Sequence, residues 1–303
     1  MIVRDRPHAL ALLIALRGSV VPAILPHILA ASLFAAGLTL INQFHYLDIS
    51  HYTVLPVTLL GIVLSILLSF RNNAAYDRWW EARKQWGQMV YEIRALARAS
   101  GTLLGAENAQ RRALLGLLLG FVHALRGQLR DETVEEDLRR VTGDAAVQRA
   151  LTRSNGADDF LHQAGELLGE LYRGGQLDSV GVRVLDERLT ALAGIQAACE
   201  RIASTPLPFA YTLLAHRTAY LYCYLLPVAL IGAIGWATPL FVALVAYTFF
   251  GLDRLAEELE TPFGRNANDL PLDALCRTHE ISVAQALGET PPEPLVPVKA
   301  WLQ

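Results

Sequence analysis

The sequence predicts an all-α integral membrane protein with four transmembrane helices and a helical cytosolic region. Hydrophobic residues make up 53% of the 303 residues and charged residues 18%, a mixture that indicates one apolar and one polar region. Three windows contain no Asp, Glu, Lys or Arg, and each can hold the ~20 residues that a transmembrane helix needs; they are residues 18–47, 49–70 and 218–252. No sustained alternation of apolar and polar residues is present, which argues against strands.

These windows divide the chain into four regions. The first can hold one span around residues 21–41 and the second a span that ends near Phe70, so residues 1–70 form the N-terminal segment with transmembrane helices 1 and 2. The third window is too long for one span and carries Gly and Pro between residues 232 and 239, which predicts two helices joined by a tight turn. We therefore expect transmembrane helices 3 and 4 over residues 208–252, with a cytosolic helical region at 71–207 and a cytosolic C-terminal segment at 253–303.

Positive charges at the ends of the spans predict the orientation of the chain. Segments 42–52 and 232–239 contain no Lys or Arg, whereas the other ends of the first two spans are flanked by Arg4, Arg6, Arg17, Arg71, Arg78, Arg83 and Lys84. By the positive-inside rule both termini and the middle region face the cytoplasm, and a multi-pass protein of the cell inner membrane is expected. The start of the chain lacks a small-residue cleavage site, so no removable signal peptide is expected.

The second span carries two stripes at helical spacing, one bulky and one small. The bulky stripe is Ile62, Ile66 and Phe70, and the small stripe, displaced by about 100° around the helix, is Gly61, Ser65 and Ser69. Small residues let helices approach closely inside lipid, so the second stripe is a candidate for helix packing. Such stripes also occur by chance in any span rich in Leu and Ile.

Two blocks of sequence outside the spans carry a family resemblance. The stretch FRNNAAYDRWWEARKQWG at residues 70–87 continues the second span into a charged helix, and GLDRLAEELETPFGRNANDL follows the last span at residues 251–270. Both resemble the bestrophin family of ion channels, which has paired Trp after an Arg in the first block and a G-W-x-x-V-A-E-x-x-x-N-P-F-G segment in the second. Ala256, Glu257 and residues 262–264 match that segment, and Thr261 replaces its usual Asn. The likeness covers residues 1–285.

The resemblance implies a homopentamer around a central pore, with four transmembrane helices per subunit. It also implies a hydrophobic neck in the second helix, which Ile62, Ile66 and Phe70 match, and a second constriction in the cytosol. By this resemblance we expect the cytosolic aperture to come from residues 177–182, with Val180 as its candidate residue. Animal members have a second Phe where this chain has Ile66.

Calcium dependence is not expected. Animal bestrophins are calcium-activated anion channels that carry a run of carboxylates after P-F-G. Here residues 265–269 read RNAND and offer one carboxylate, whereas Ca²⁺ prefers six to eight oxygen ligands. The sequence therefore predicts a channel that is not gated by calcium.

The spans favour passive conduction over active transport. His27 is the one clear titratable side chain at depth, whereas pumps usually bury carboxylates or paired charges. A ring of apolar side chains can gate a pore by dewetting, and the bulky stripe is about 12 Å long. Because one helix cannot enclose a pore, several copies of the chain must surround the axis. Rings of aliphatic side chains around a pore are uncharged and therefore do not indicate which sign of ion passes. Because bacterial-looking bestrophins include cation conductors, monovalent cations such as sodium are favoured over chloride.

Other functions remain as alternatives. The main one is a non-conducting membrane scaffold that binds a partner, and another is an intramembrane enzyme, for which no catalytic constellation is found. Residues 71–210 contain 18 basic and 18 acidic residues, so nucleic-acid binding has no electrostatic basis. No cofactor or metal site is expected, since Cys199, Cys223 and Cys276 are far apart and the set Asp158, Asp159 and His162 is better explained by surface pairs on a helix. The expected partners are further copies of the chain, membrane lipid and monovalent ions.

Overall fold

The computed structural model describes residues 1–3, 15–46, 48 and 51–302, and these form two compact units. The apolar unit comprises the described residues within 4–79 and 206–262. The polar unit comprises residues 1–3 and 80–205 and the described residues within 263–303. Arg4 and Arg6, on which part of the predicted orientation depends, lie outside the described residues.

The described part of the chain is mostly helical and contains no strand beyond isolated bridges that join Ile2 and Val298 to Trp301. The all-α prediction is therefore confirmed. In chain order the helices are α1 (Val21–Gln43), α2 (Leu55–Leu104), α3 (Ala109–Arg130), α4 (Glu135–Val141), α5 (Asp144–Leu151), α6 (Gly156–Arg173), α7 (Ser179–Ser204), α8 (Phe209–Ile234), α9 (Thr238–Glu260) and α10 (Leu272–Ala286).

Three stretches of the described residues are long and apolar enough to cross a membrane: Val21–Gln43, Leu55–Leu104 and Phe209–Glu260. The third contains α8 and α9, which are joined by a single 3₁₀ turn at Gly235–Ala237. Gly235 has φ +51° and ψ −120°, a backbone conformation that a side chain would strain. The turn lies where the sequence predicted a break between two helices.

Small side chains allow α1 and α9 to pack closely in the apolar unit. Ala31 and Ala35 of α1 and Ala246 of α9 are fully buried, as are Leu64 and Leu68 of α2. Because lipid tails are as apolar as these side chains, contact between helices is favoured by close packing rather than by removal from water. The helix α2 is continuous over 50 residues and contributes to both units.

The polar unit is built around α3, which is buried on every side from Leu118 to Gly127. Close approach at Gly120 makes this possible, because a Cβ there would lie 2.7 Å from a ring carbon of Phe160 in α6. The buried stretch also carries His123 and Arg126, whose polar groups need partners inside the protein. His123 pairs with Glu280 of α10, and Arg126 pairs with Asp137 and with another carboxylate of α10.

Candidate functional site

The bulky stripe of α2 is exposed in the single chain. Ile62 and Ile66 are each 53% exposed and Phe70 is 64% exposed, while Leu64 and Leu68 are fully buried against the other helices of the apolar unit. One face of α2 therefore packs within the chain and the opposite face presents a row of large apolar side chains. Asp77 is also exposed, seven residues after Phe70 and hence within about 20° of it around the helix.

The small stripe does not act as one surface. A Cβ at Gly61 would lie 2.7 Å from the hydroxyl of Tyr222, so this residue provides a close approach to α8 of the same chain. Ser65 and Ser69 are exposed instead, and the Ser65 hydroxyl donates to the carbonyl of Gly61 at 2.8 Å. The difference follows from helix geometry, because residues four apart advance by about 40° and the stripe turns away from α8.

A buried ion pair that the sequence analysis missed lies directly after Phe70. Arg71 is 2% exposed, and its guanidinium donates to the carboxylate of Asp253 in α9 and, at 3.3 Å, to the carbonyl of the same residue. His216 of α8 contacts the other carboxylate oxygen through Nδ1 at 2.6 Å. The signal was present, since Arg71 and Asp253 are the charges that end the second and third uncharged windows.

Further polar contacts hold the same part of α2 to α9. The Asn72 amide donates to the carbonyl of Leu252 at 3.1 Å, and Nε of Arg78 donates to the carbonyl of Glu260 at 2.7 Å. The carboxylate of Glu260 accepts a hydrogen bond from the backbone N–H of Leu207 at 3.0 Å. The contacts of Asn72 and Arg78 fix the rotation of α2 about its axis, and the rotation decides which side chains form the exposed face.

Val180, the residue chosen for the cytosolic aperture, lies in the first turn of α7 and is 66% exposed. The carboxylate of Asp178 caps this helix by accepting a hydrogen bond from the N–H of Gly181 at 2.7 Å. Leu177, the residue before Asp178, is buried. Val184, one turn later, is also exposed. The position therefore presents an apolar side chain outward, and its role as a constriction stays a prediction.

The segment after P-F-G is closed by ion pairs. Arg265 donates to both carboxylate oxygens of Glu132, one of them at 2.6 Å, and to Asp273 at 3.0 Å. Burial alone would raise the pKa of Asp273, but Arg130, Arg126 and Arg265 hold it below its usual value. The only carboxylate of the RNAND stretch, Asp269, accepts from the N–H of Asn266 at 2.7 Å.

Neither metal nor thiol chemistry is indicated in the part of the chain that the structure describes. No group of three His, Cys, Asp or Glu residues there could hold a metal ion. His162 pairs with Glu166 one turn along α6, as expected for a helix surface, whereas Asp159 is buried and pairs with Arg149 of α5. Cys199, Cys223 and Cys276 are buried free thiols.

Comparisons with known proteins agree on one family. A sequence profile described as Bacterial/Fungal Bestrophin protein matches residues 1–285. The voltage-dependent anion channel-forming protein mll4386 of Mesorhizobium japonicum is 55% identical over 97% of this chain and 95% of its own length. The protein of the same description named YneE from Escherichia coli K12 is 41% identical over 95% of each chain. A crystal structure of a bacterial bestrophin homologue from Klebsiella pneumoniae superimposes with a TM-score of 0.85 at 40% identity, covering 88% of this chain and all of the other.

Proposed function

We propose that this chain, which belongs to the bestrophin family of ion channels and not to a family of enzymes, forms a passive pore with a hydrophobic neck made by Ile62, Ile66 and Phe70. The observation that carries the proposal is the exposure of these three side chains along one face of α2. A row of large apolar residues costs free energy in contact with water and needs a lumen, lipid or another protein surface. In a lumen such residues expel water and gate conduction by dewetting.

The pore is formed by five copies of the chain, each contributing four spans: α1, the first part of α2, α8 and α9. One α2 helix cannot enclose a lumen, and its exposed face is wide enough to serve both a lumen and neighbouring copies. Ser65 and Ser69 lie at the edge of that face and allow close approach of a second α2 helix. The assembly lies in the cell inner membrane with both termini in the cytoplasm, a placement supported by the basic residues that follow the second span.

The pore conducts monovalent cations such as sodium in preference to chloride. The three neck side chains carry no charge, so the sign of the permeant ion is set by the nearest charged group on the same face of the helix. That group is Asp77, which is exposed two turns beyond Phe70. Five copies of Asp77 form a ring of carboxylates next to the neck, and such rings concentrate cations.

Anion conduction is the second candidate. The relatives mll4386 and YneE are described as voltage-dependent anion channel-forming proteins, and this description favours chloride. Lys84 supports the same candidate, since it is exposed on this face two turns beyond Asp77. The two candidates differ in the sign of the reversal potential under a salt gradient, because that sign depends on whether cations or anions permeate.

Opening does not require calcium. In this chain Arg265 pairs with both Glu132 and Asp273, and Arg126 and Arg130 also pair with Asp273. A cation bound there would have to displace a guanidinium that already makes several charge-assisted hydrogen bonds. These ion pairs support a segment after P-F-G that is held in place by Arg265 and does not need a bound cation.

The decisive experiment is ion flux in liposomes that contain only the purified protein. A channel gives sodium or chloride flux, whereas a non-conducting scaffold gives none beyond that of empty liposomes. Light scattering in detergent provides the second measurement, and a stable mass near five subunits is expected. A monomeric protein would exclude the pore.

The variant Asp77→Asn separates the two ion preferences. If the carboxylate ring favours cations, its removal reduces the ratio of sodium to chloride permeability measured from the reversal potential. The matched control is Lys84→Gln, which removes one charge of the opposite sign from the same helix face. Selectivity for anions in the wild-type protein, left unchanged by Asp77→Asn, would favour the second candidate.

A further inference from the structure

The polar unit contains a cleft lined by arginines between the C-terminal part of α2 and the last turn of α10. The cleft has a volume of about 630 Å³, within the range of small-molecule sites. Arg94 and Arg98, one turn apart on α2, lie along it with Arg111 of α3, and none of the described residues that line it carries a carboxylate. Ser282 and Gln285 of α10 supply uncharged polar groups.

Arg111 gives the cleft a rigid base. It is 4% exposed, and its Nη atoms donate to the carbonyls of Ala106 at 3.1 Å and Ala286 at 2.8 Å. Its guanidinium lies against the backbone of α2 at Gly101, where an added Cβ would be 3.2 Å from Nη2. The buried Nε has no hydrogen-bond partner among the described residues. The guanidinium is therefore held in one orientation without a neutralising carboxylate.

Arg94 and Arg98 are unlike most arginines of the polar unit. Most other arginines of this unit pair with acidic side chains, for example Arg140 with Glu280 at 2.7 Å and Arg188 with Glu92 at 3.1 Å. Within the described part of the chain, Arg94 makes one side-chain hydrogen bond, from Nε to the hydroxyl of Ser282 at 3.0 Å, and Arg98 forms no ion pair. The other donors of both guanidinium groups remain available to a ligand.

We propose that this cleft binds a small anion with two or more negative charges, of the phosphate or polyphosphate class. Three positive groups facing one cleft repel one another, and an anion between them removes that repulsion. Guanidinium groups match the oxygen atoms of a phosphoryl group with two parallel hydrogen bonds, whereas a monovalent chloride ion can use neither the paired geometry nor the full charge. The inference does not depend on conduction, and the residues that line the cleft all belong to the polar unit.

The test is calorimetric titration of the full-length protein in detergent with inorganic pyrophosphate at constant ionic strength. One pyrophosphate per chain is expected, with little competition from chloride at equal concentration. Arg98→Ala should weaken binding roughly tenfold, as expected for loss of one charge-assisted pair of hydrogen bonds. Arg98 is exposed and unpaired with any described carboxylate, so the variant is expected to fold, and gel filtration checks this.

The matched control is Arg183→Ala, which removes an exposed arginine of α7 that does not line the cleft. Binding within twofold of the wild-type value is expected. Absence of saturable binding, or equal weakening in both variants, would overturn the site. A competition with micelles that contain short-chain phosphatidic acid identifies the source of the phosphate group: displacement assigns the site to a lipid headgroup, and its absence assigns it to a soluble anion.

Discussion

Arg71 and Asp253 form a buried ion pair at the end of the proposed neck, although 182 residues separate them in the sequence. Arg71 immediately follows Phe70, and Asp253 also contacts His216, so one carboxylate connects α2, α8 and α9. The pair fixes the rotation of α2 at the point where its exposed apolar row ends. The side chains that face outward are thus determined partly by charges that never contact them.

Replacing Asp253 by Asn should destabilise the apolar unit strongly. The variant leaves the Arg71 guanidinium buried without a counter-charge, which costs roughly 3–5 kcal/mol in comparable cases. We expect a lower yield of folded protein and a lower melting temperature, measured by gel filtration after heating in detergent. The control Glu257→Gln removes an exposed partner of Arg254 and should change the melting temperature little. Equal stability of both variants would contradict the structural role of the pair.

Shortening the neck should increase ion flux. Replacing Ile62, Ile66 and Phe70 together by Ala widens the proposed lumen and removes the apolar surface that expels water. Flux per assembled channel in liposomes should rise. The matched control is the double change of Leu60 and Leu67 to Ala, since these side chains are partly buried against the other helices of the apolar unit and point away from the row. Equal flux in both assembled variants would show that another surface lines the pore.

Chelation of calcium should leave flux unchanged, because Arg265 already neutralises Glu132 and Asp273. Liposome flux measured in excess chelator and in micromolar Ca²⁺ should agree. The variant Arg265→Ala frees Glu132 and removes one of the three arginines at Asp273. We expect millimolar Ca²⁺ to raise its melting temperature but not that of the wild-type protein. Flux that requires micromolar Ca²⁺ in the wild type would show that the proposed calcium independence is wrong.

Acid should destabilise the polar unit through His279. Burial, together with smaller contributions from His123 and Arg94, lowers the pKa of this fully buried side chain from 6.5 to about 3. The unfolded chain therefore takes up a proton below pH 6.5 that the folded protein does not bind until about pH 3. The contribution of the neutral His279 side chain to the free energy of unfolding is fully present above pH 6.5 and decreases as the pH falls towards 3. At pH 5 the loss is roughly 2 kcal/mol.

The measurement is the urea midpoint of the polar unit between pH 7.5 and pH 5. His279→Leu should flatten the dependence on pH, whereas His162→Ala, which removes an exposed side chain of α6, should leave it unchanged. Glu280 does not contribute in this range. Burial alone would raise its pKa, but His123 and Arg140 hold it near 2, so its effect is confined to pH values below 4.5. An unchanged slope in His279→Leu would assign the acid sensitivity to another group.

The cysteines of the polar unit should resist thiol reagents in the folded protein. Burial raises the pKa of Cys199 and of Cys276 to about 12, so almost no thiolate is present at neutral pH. Mass spectrometry after maleimide treatment should find both unmodified without denaturant and modified in concentrated urea. Rapid labelling of either residue in the native protein would indicate local opening of its helix.

The sequence by itself determined the helical class, the apolar windows and the break near Gly235. Each depends on residues close together in the chain: the length of an uncharged run, the absence of alternation, or glycine and proline in a short segment. The row of Ile62, Ile66 and Phe70 was also visible, because helical periodicity requires no knowledge of neighbouring helices. These features indicated which side chains share a face.

Tertiary structure alone decided which faces are covered and which charges meet. Gly61 contacts Tyr222 in the same chain, Arg71 pairs with Asp253, and the arginines at 94 and 98 share a cleft with Arg111. Most of these partners come from separate helices, and their juxtaposition depends on how the helices pack and rotate. A short window of sequence shows one helix at a time, so a charge at the end of an apolar run indicates only where the span ends. The partner of that charge is set by the packing of separate helices.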